Sequence, residues 1–241
     1  VQTCALPICY VMSHRGEDDL GRVATRRNLD PDKDVRGRFS LRHRQFLPDD
    51  WQLTVEVGYL TDRNFLEWMY RNEFYTDKGQ ETLVYLKKLR DNWAFSILGK
   101  VRINDFETMA EQLPGVEYHL KGQSFWDDRL TFYSDNLLGR FRDRFDDEGP
   151  GGNSDFYTFG YTRNEVDMPL NWETIKLVPF VAGSYSADDG LGYFVDLDGN
   201  AKAGGENRIF LGEVGMRAST MFWKDDPYVQ SSFWDLDGIR H

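Results

Sequence analysis

Three arginines near the middle of the chain, Arg140, Arg142 and Arg144, occur at every second position. In an extended strand, residues two apart point to the same side, so the three guanidinium groups would share one face. The guanidinium fork matches the geometry of phosphate oxygens, so this spacing suits contact with a phosphorylated lipid or sugar. The more common explanation is a lumenal face that pairs with Glu and Asp of neighbouring strands. The sequence leaves both explanations open.

Asp-Asp pairs occur six times, mostly between predicted strands, at residues 18–19, 49–50, 127–128, 146–147, 188–189 and 225–226. Hard divalent cations prefer carboxylate oxygens, so such pairs are candidate cation ligands. Asp also favours turns, because its side chain bonds to nearby backbone groups, and we favour this explanation. A third use is acid–base hydrolysis of a glycan or lipid by a pair such as Asp127 and Asp128.

Other catalytic signatures are missing from the sequence. The four histidines have no metal-site spacing, and no Gly-x-Ser-x-Gly motif occurs. His119 lies beside Glu117 and Lys121 in an alternating segment, which indicates a solvated or lumenal histidine. We therefore predict no catalytic residue, no metal and no cofactor, and we interpret the protein as not an enzyme.

We predict that these side chains lie on β-strands, because apolar and polar residues alternate along most of the chain. Residues 51–59 (WQLTVEVGY) place Trp51, Val55 and Tyr59 on one side and Glu56 on the other. Two further alternating segments flank residues 90–92 (RDN), a spacing that predicts a tight hairpin. Pro179 inside residues 174–185 predicts an edge strand, a strand start or a bulge.

The alternation divides the predicted strands into an apolar face and a polar face. In the segment from Trp93, for example, Ile97 belongs to the apolar face and Ser96 to the polar face. If the sheet belongs to a membrane barrel, the polar face lines the lumen. The candidate lumen-facing residues are Glu56, Lys100, Arg102, Glu117, His119, Arg129, Glu213 and Arg217.

Composition narrows the class of protein. The net charge of −11 argues against a nucleic-acid partner, which requires a basic surface. Aromatic residues make up 15% of the chain, a share that suits strands and interfacial girdles. No apolar run approaches the roughly 18 residues of a membrane helix. Strands of about ten residues, separated by polar turns, fit a membrane barrel and also a soluble sandwich.

The chain divides into three predicted parts. Residues 1–9 differ in composition from the rest, and we interpret them as a non-native leader that resembles translated adapter sequence; both cysteines lie here. Residues 10–50 form a charged segment with a possible first strand over residues 37–46 and a loop. Residues 51–241 form a barrel fragment of about nine or ten strands. Because the chain starts with Val and stops at the start of a predicted strand, we interpret it as an internal piece of a longer protein.

Several short segments, in order, resemble the lipopolysaccharide-assembly family LptD, also called organic solvent tolerance protein. They are residues 113–118 (LPGVEY), 128–134 (DRLTFYS), 167–170 (DMPL), 177–180 (LVPF) with Tyr185, 215–220 (GMRAST) and 239–241 (IRH). The resemblance covers roughly residues 50–241. It departs from the family at Asn164, because the arginine often found shortly before the Asp-x-Pro segment is absent. The family's periplasmic domain, closing strands and disulfide cysteines cannot be placed here.

The resemblance implies a fold and a function. The fold is all-β: an antiparallel up-and-down sheet that forms an incomplete fragment of a large outer-membrane β-barrel. The function is insertion of lipopolysaccharide into the outer leaflet of the cell outer membrane. The implied partners are lipopolysaccharide, the lipid bilayer, a plug lipoprotein (LptE-like) and a periplasmic bridge protein (LptA-like). The alternatives are a porin-like outer-membrane channel and a β-rich glycan or lipid hydrolase.

Overall fold

The structure is a computed structural model of the chain. It describes residues 3–21, 24–31, 33–146, 155–190, 193–195, 201–203, 205–221, 225–231 and 236–240. In the description that follows, counts and absences refer to these residues.

One large antiparallel sheet of 11 strands dominates the described chain. Its strands are β1 (Thr3–Ser13), β2 (Val35–Phe46), β3 (Trp51–Leu60), β4 (Thr82–Arg90), β5 (Trp93–Val101), β6 (Met109–Phe125), β7 (Leu130–Arg144), β8 (Tyr157–Asp167), β9 (Leu170–Trp172), β10 (Ile175–Asp188) and β13 (Asn207–Thr220). Two separate pairs are β11 (Tyr193–Val195) with β12 (Ala201–Ala203), and β14 (Asp225–Ser231) with β15 (Leu236–Arg240). Strands that follow one another in sequence are neighbours in the main sheet, apart from short insertions, which is the predicted up-and-down order.

The register carries the two predicted faces across the sheet. Ser96 pairs with Lys87 on β4 and with Glu117 on β6. One residue further along β5, Ile97 pairs with Leu86 and Val116. Paired residues share a side of a sheet, so polar residues line up with polar ones and apolar with apolar. We call the side of Ser96 and Glu117 the polar face and the side of Ile97 and Val116 the apolar face.

Connections at the two ends of the strands differ in length. At the short-turn end, residues 47–50, 91–92 and 126–129 join successive strands. At the long-loop end, the connections include residues 14–34, 61–81 and 189–206. Five aspartates of the predicted acidic turns have left-handed backbone conformations, with φ between 44° and 63° at Asp49, Asp50, Asp91, Asp127 and Asp128. Asp tolerates this conformation better than most residues, which supports the turn explanation for the acidic pairs at 49–50 and 127–128. The explanation does not hold for Asp225 and Asp226, which lie in β14, or for Asp18, which is buried.

Two short helices, α1 (Phe65–Met69) and α2 (Arg71–Thr76), lie in the long connection between β3 and β4. Phe65 and Leu66 are buried against Leu60, and Tyr10 packs on the same cluster. Leu60 lies four residues after Glu56 on β3, so both side chains are on the polar face. The helices that pack on Leu60 therefore cover the polar face near the long-loop end. Neither helix has the length and apolar character needed to cross a membrane.

Pro179 occupies an interior strand, so its prediction as an edge residue, a strand start or a bulge is wrong. β10 pairs with β13 along its whole length, including Pro179 with Met216. On its other side, β10 pairs with β8 from Phe180 onward and with β9 up to Leu177. Pro179 lies opposite the gap between these two strands, where its oxygen accepts a bond from the Met168 N–H at 2.9 Å. A proline is tolerated here because the regular ladder is already interrupted.

The sheet remains open in the described part of the chain. β1 pairs with β2 alone, and β13 pairs with β10 alone. The all-β fold, an antiparallel sheet not closed into a barrel, is therefore confirmed. Residues 3–9 belong to β1 and pair with β2, from Thr3 opposite Gln45 to Cys9 opposite Phe39. The non-native origin of residues 1–9 stays a prediction.

Candidate functional site

A chain of ion pairs crosses three strands of the polar face. Arg217 on β13 binds Glu165 on β8 with Nη2 2.6 Å from Oε1, and its Nη1 lies 3.0 Å from Asp167 Oδ2. Arg163 on β8 completes the group, with Nη2 2.7 Å from Glu165 and 3.1 Å from Glu213. We call these five residues the β8–β13 network. The predicted lumen-facing residues Glu213 and Arg217 belong to it.

A small residue on the intervening strand allows this network to form. β10 separates β8 from β13, and Ala182 of β10 pairs with Glu165 on one side and with Glu213 on the other. Ala182 is buried beneath the charged groups. Because its methyl group leaves space on the polar face, arginine side chains reach carboxylates two strands away.

A second polar cluster joins β6 to β7. His119 lies between two carboxylates, with Nδ1 2.8 Å from Asp135 Oδ1 and Nε2 3.3 Å from Glu117 Oε2. Lys121 Nζ donates to the same Asp135 oxygen at 2.8 Å. We call this group the β6–β7 cluster. It contains the predicted residues Glu117 and His119 on the expected face.

A third cluster lies near the long-loop end of the polar face. Lys78 Nζ is 2.9 Å from Glu56 and 2.6 Å from Glu81, and Glu81 also binds Lys100. Partial burial opposes ionisation of Glu81, but hydrogen bonds from Lys100 and Lys78 outweigh this cost and lower the pKa of Glu81. The structure thus brings together the predicted residues Glu56 and Lys100 through two loop residues.

The most deeply buried charged group involves Arg36 of β2. Its guanidinium forms two bonds to Asp18, at 2.6 and 2.9 Å, and two to Asp62, at 2.9 and 2.7 Å. Arg36 and Asp18 are fully buried, and the indole of Trp68 lies 5.2 Å from the guanidinium carbon. The sequence analysis missed this group, because Asp18, Arg36 and Asp62 come from two long loops and a strand with no shared pattern. Its position suggests a structural clamp on the long loops.

Two predicted lumenal residues lie outside the strands. β5 ends at Val101, and Arg102 follows it, with Nη1 bonded to the backbone oxygens of Asp105 at 3.0 Å and Glu107 at 3.1 Å. Arg129 is exposed in the turn that precedes β7. The prediction that these two residues belong to the strand rows of the polar face is therefore corrected to a loop position and a turn position.

The arginines of β7 share a face, but it is the apolar one. Arg140, Arg142 and Arg144 continue the even-numbered row that includes Leu138, a residue 60% exposed and paired with Val116. These three arginines therefore lie on the side opposite the predicted lumen-facing residues, and whether they contact a lumen or a phosphate stays a prediction. A register shift in β6 between Gln112 and Gly115 brings Glu111 onto the same side, where Arg142 Nε donates to it at 2.7 Å.

Aromatic residues mark the short-turn end of the apolar face. Trp51 and Trp93 flank Lys88, whose Nζ lies 5.4 and 6.0 Å from the two ring centroids. Two further tryptophans lie at this end: Trp126, in the turn before β7, is 67% exposed, and Trp172, the last residue of β9, is 72% exposed. A row of tryptophan with a basic residue is typical of the boundary between hydrocarbon and water.

The acidic pair considered for hydrolysis lies in an open turn. Asp127 and Asp128 are exposed at the tip of a tight turn rather than in a cleft. Among the residues that the structure describes, no group of three or more potential ligands is arranged to hold a metal ion.

A sheet with one charged face, one apolar face and aromatic residues at its boundary is typical of the wall of a membrane β-barrel. Comparison with protein families agrees: residues 34–206 match the family LptD, LPS transport system D. The match covers more than half of the chain, so the chain belongs to the LptD family, whose members are outer-membrane proteins of lipopolysaccharide (LPS) transport. No individual curated protein matches the chain significantly.

Proposed function

We propose that this chain forms part of an outer-membrane translocon that inserts LPS into the outer leaflet. The polar face lines a lumen, and the apolar face contacts lipid. Short turns of outer-membrane barrels face the periplasm, so residues 91–92 lie on that side and the long loops lie outside the cell. The protein makes and breaks no covalent bond in this role.

The β8–β13 network is the observation that carries the proposal. It places two arginines and three carboxylates side by side on one face of the sheet, while the opposite face presents Val181 and Val214 at 57% and 86% exposure. Such a division is stable when the charged face meets water and the apolar face is buried, either in hydrocarbon or against another apolar layer, and the LptD family match favours hydrocarbon. The charged face then offers hydrogen-bonding groups to the sugars and phosphates of a passing glycolipid.

The family supplies the proposed partners. We infer that a periplasmic bridge protein (LptA-like) delivers LPS to the translocon and that a plug lipoprotein (LptE-like) occupies the barrel. The helices α1 and α2 cover only part of the polar face near the long-loop end. The remaining charged surface, which includes the β6–β7 cluster, is accessible to a plug or to the substrate.

Depletion of the cellular protein tests the proposal. Expression is shut off in living cells, and newly labelled LPS is followed from the inner membrane to the cell surface. We expect surface LPS to fall and inner-membrane LPS to rise, with recovery when the wild-type gene is restored. Normal LPS delivery with a loss of small-solute uptake would instead identify a porin-like channel and contradict the proposal.

A further inference from the structure

Two arginines are held together on the outside of the sheet. The ring of Phe156 lies 5.0 Å from the Arg140 guanidinium carbon and 4.3 Å from that of Arg142. Contact with the ring fixes both cations without removing their hydrogen-bond donors. Arg142 also neutralises the buried Glu111, whereas Arg140 is exposed.

An apolar groove lies next to this pair on the same face. It has a volume of about 350 Å³. The residues that line it on the apolar face include Val116, Tyr118, Leu138, Gly160 and Tyr185. Gly160 lies opposite Leu138 in the neighbouring strand, and the missing side chain leaves the space between the two tyrosines open. Leu138 and Arg140 are two residues apart on β7, a distance of about 7 Å.

Charge and position together point to one kind of occupant. The groove lies near the middle of β7, and Arg140 and Arg142 lie toward its long-loop end. If the long loops are extracellular, the arginines reach the headgroup level of the outer leaflet. A ligand with an acyl chain below a phosphate would satisfy both parts of the site, since Arg forks bind phosphate through paired hydrogen bonds.

We propose that this outer-wall site binds the phosphorylated lipid part of LPS after it has left the lumen. Arg140 and Arg142 contact a phosphate, and one acyl chain lies in the groove beside Leu138 and Gly160. The inference rests on the proposed function and adds to it a specific contact of the released substrate with the outside of the wall.

Photocrosslinking in the complete protein in living cells tests the site. A photoreactive amino acid replaces Leu138 on the apolar face, and a second protein carries it at Glu117 on the polar face. Irradiated samples are probed for adducts with LPS and with phospholipid. We expect an LPS adduct at position 138, and we expect R140Q to remove most of it while the adduct at position 117 persists.

R140Q is chosen rather than a change at Arg142 because it leaves the Glu111–Arg142 ion pair intact. The matched control is K88Q, which removes a cation from the same face at the opposite end and should leave the adduct at position 138 unchanged. An LPS adduct at 117 with only phospholipid at 138, or an adduct at 138 insensitive to R140Q, would overturn the site but not the proposed function. Absence of LPS adducts at both positions would contradict both.

Discussion

At the residue scale, the clearest energetic claim concerns Arg36. Its guanidinium is the shared partner of Asp18 and Asp62, and all three side chains are buried. R36M should destabilise the complete protein in lipid vesicles by about 3–5 kcal/mol, because two buried carboxylates lose their counter-charge. Denaturant titration measures this loss.

The control for this prediction lies on the same strand and the same side. Arg42 is exposed, so R42M should change the free energy of unfolding by no more than about 0.5 kcal/mol. Equal losses in R36M and R42M would show that the buried clamp contributes nothing specific.

Glu81 gives a prediction about pH. Its pKa is lowered in the folded state, so its ion pairs stabilise the protein above the pKa of the unfolded state, about 4.3. That stability is lost as the pH falls through the lower folded-state pKa. E81Q should therefore be less stable than wild type at pH 7, and the difference should shrink as the solution is acidified below about pH 4.3. S124A, at an exposed residue that does not titrate, is the control, and its difference from wild type should not change with pH. A difference between E81Q and wild type that is constant with pH would contradict the assignment.

At the element scale, β7 provides two adjacent leucines on opposite faces. Leu138 pairs with Val116 on the apolar face, and Leu137 pairs with Glu117 on the polar face. L138R should cost roughly 2–4 kcal/mol if the residue lies near the bilayer midplane. L137R should cost much less, because the new cation faces water and Glu117. The two variants are compared by their folded yield and by their free energy of unfolding in vesicles. Equal losses in both would mean that the two faces, or the solvent that each one meets, are wrongly assigned.

Elements with local signals were predictable from the sequence. The turn at Asp91 and Asn92 joins β4 to β5 where the short polar segment and the flanking alternation placed it. The turn positions of the Asp pairs at 49–50 and 127–128 follow from an equally local preference. Pro179 was misassigned because its tolerance depends on a gap in neighbouring strands, which no local pattern reveals.

Contacts between distant strands were not predictable. Arg217 meets Glu165 across 52 positions of sequence, and their meeting depends on the register of two strand pairs and on the small side chain of Ala182. The face on which Arg140 lies, by contrast, could have been predicted from the sequence. Leu130 and Phe132 are apolar, and unbroken alternation along β7 carries their side of the sheet to position 140.

At the scale of the whole molecule, the charged face is the feature that unites fold and function. The three polar clusters involve β3, β5, β6, β7, β8 and β13, together with the loop before β4, so they form a lining rather than a single pocket. A lining of paired charges binds no one ligand tightly. It suits the passage of a large amphiphile whose sugars and phosphates exchange partners along the wall.

The most direct test of this account is transit of LPS past the polar face. A photoreactive amino acid at Glu117, whose side chain is 42% exposed, is irradiated in living cells during LPS synthesis and again after synthesis is blocked. We predict an LPS adduct that forms during synthesis and disappears when the supply of new LPS stops. No adduct during active synthesis, or an adduct that persists unchanged after the block, would contradict the claim that this face lines the path of LPS.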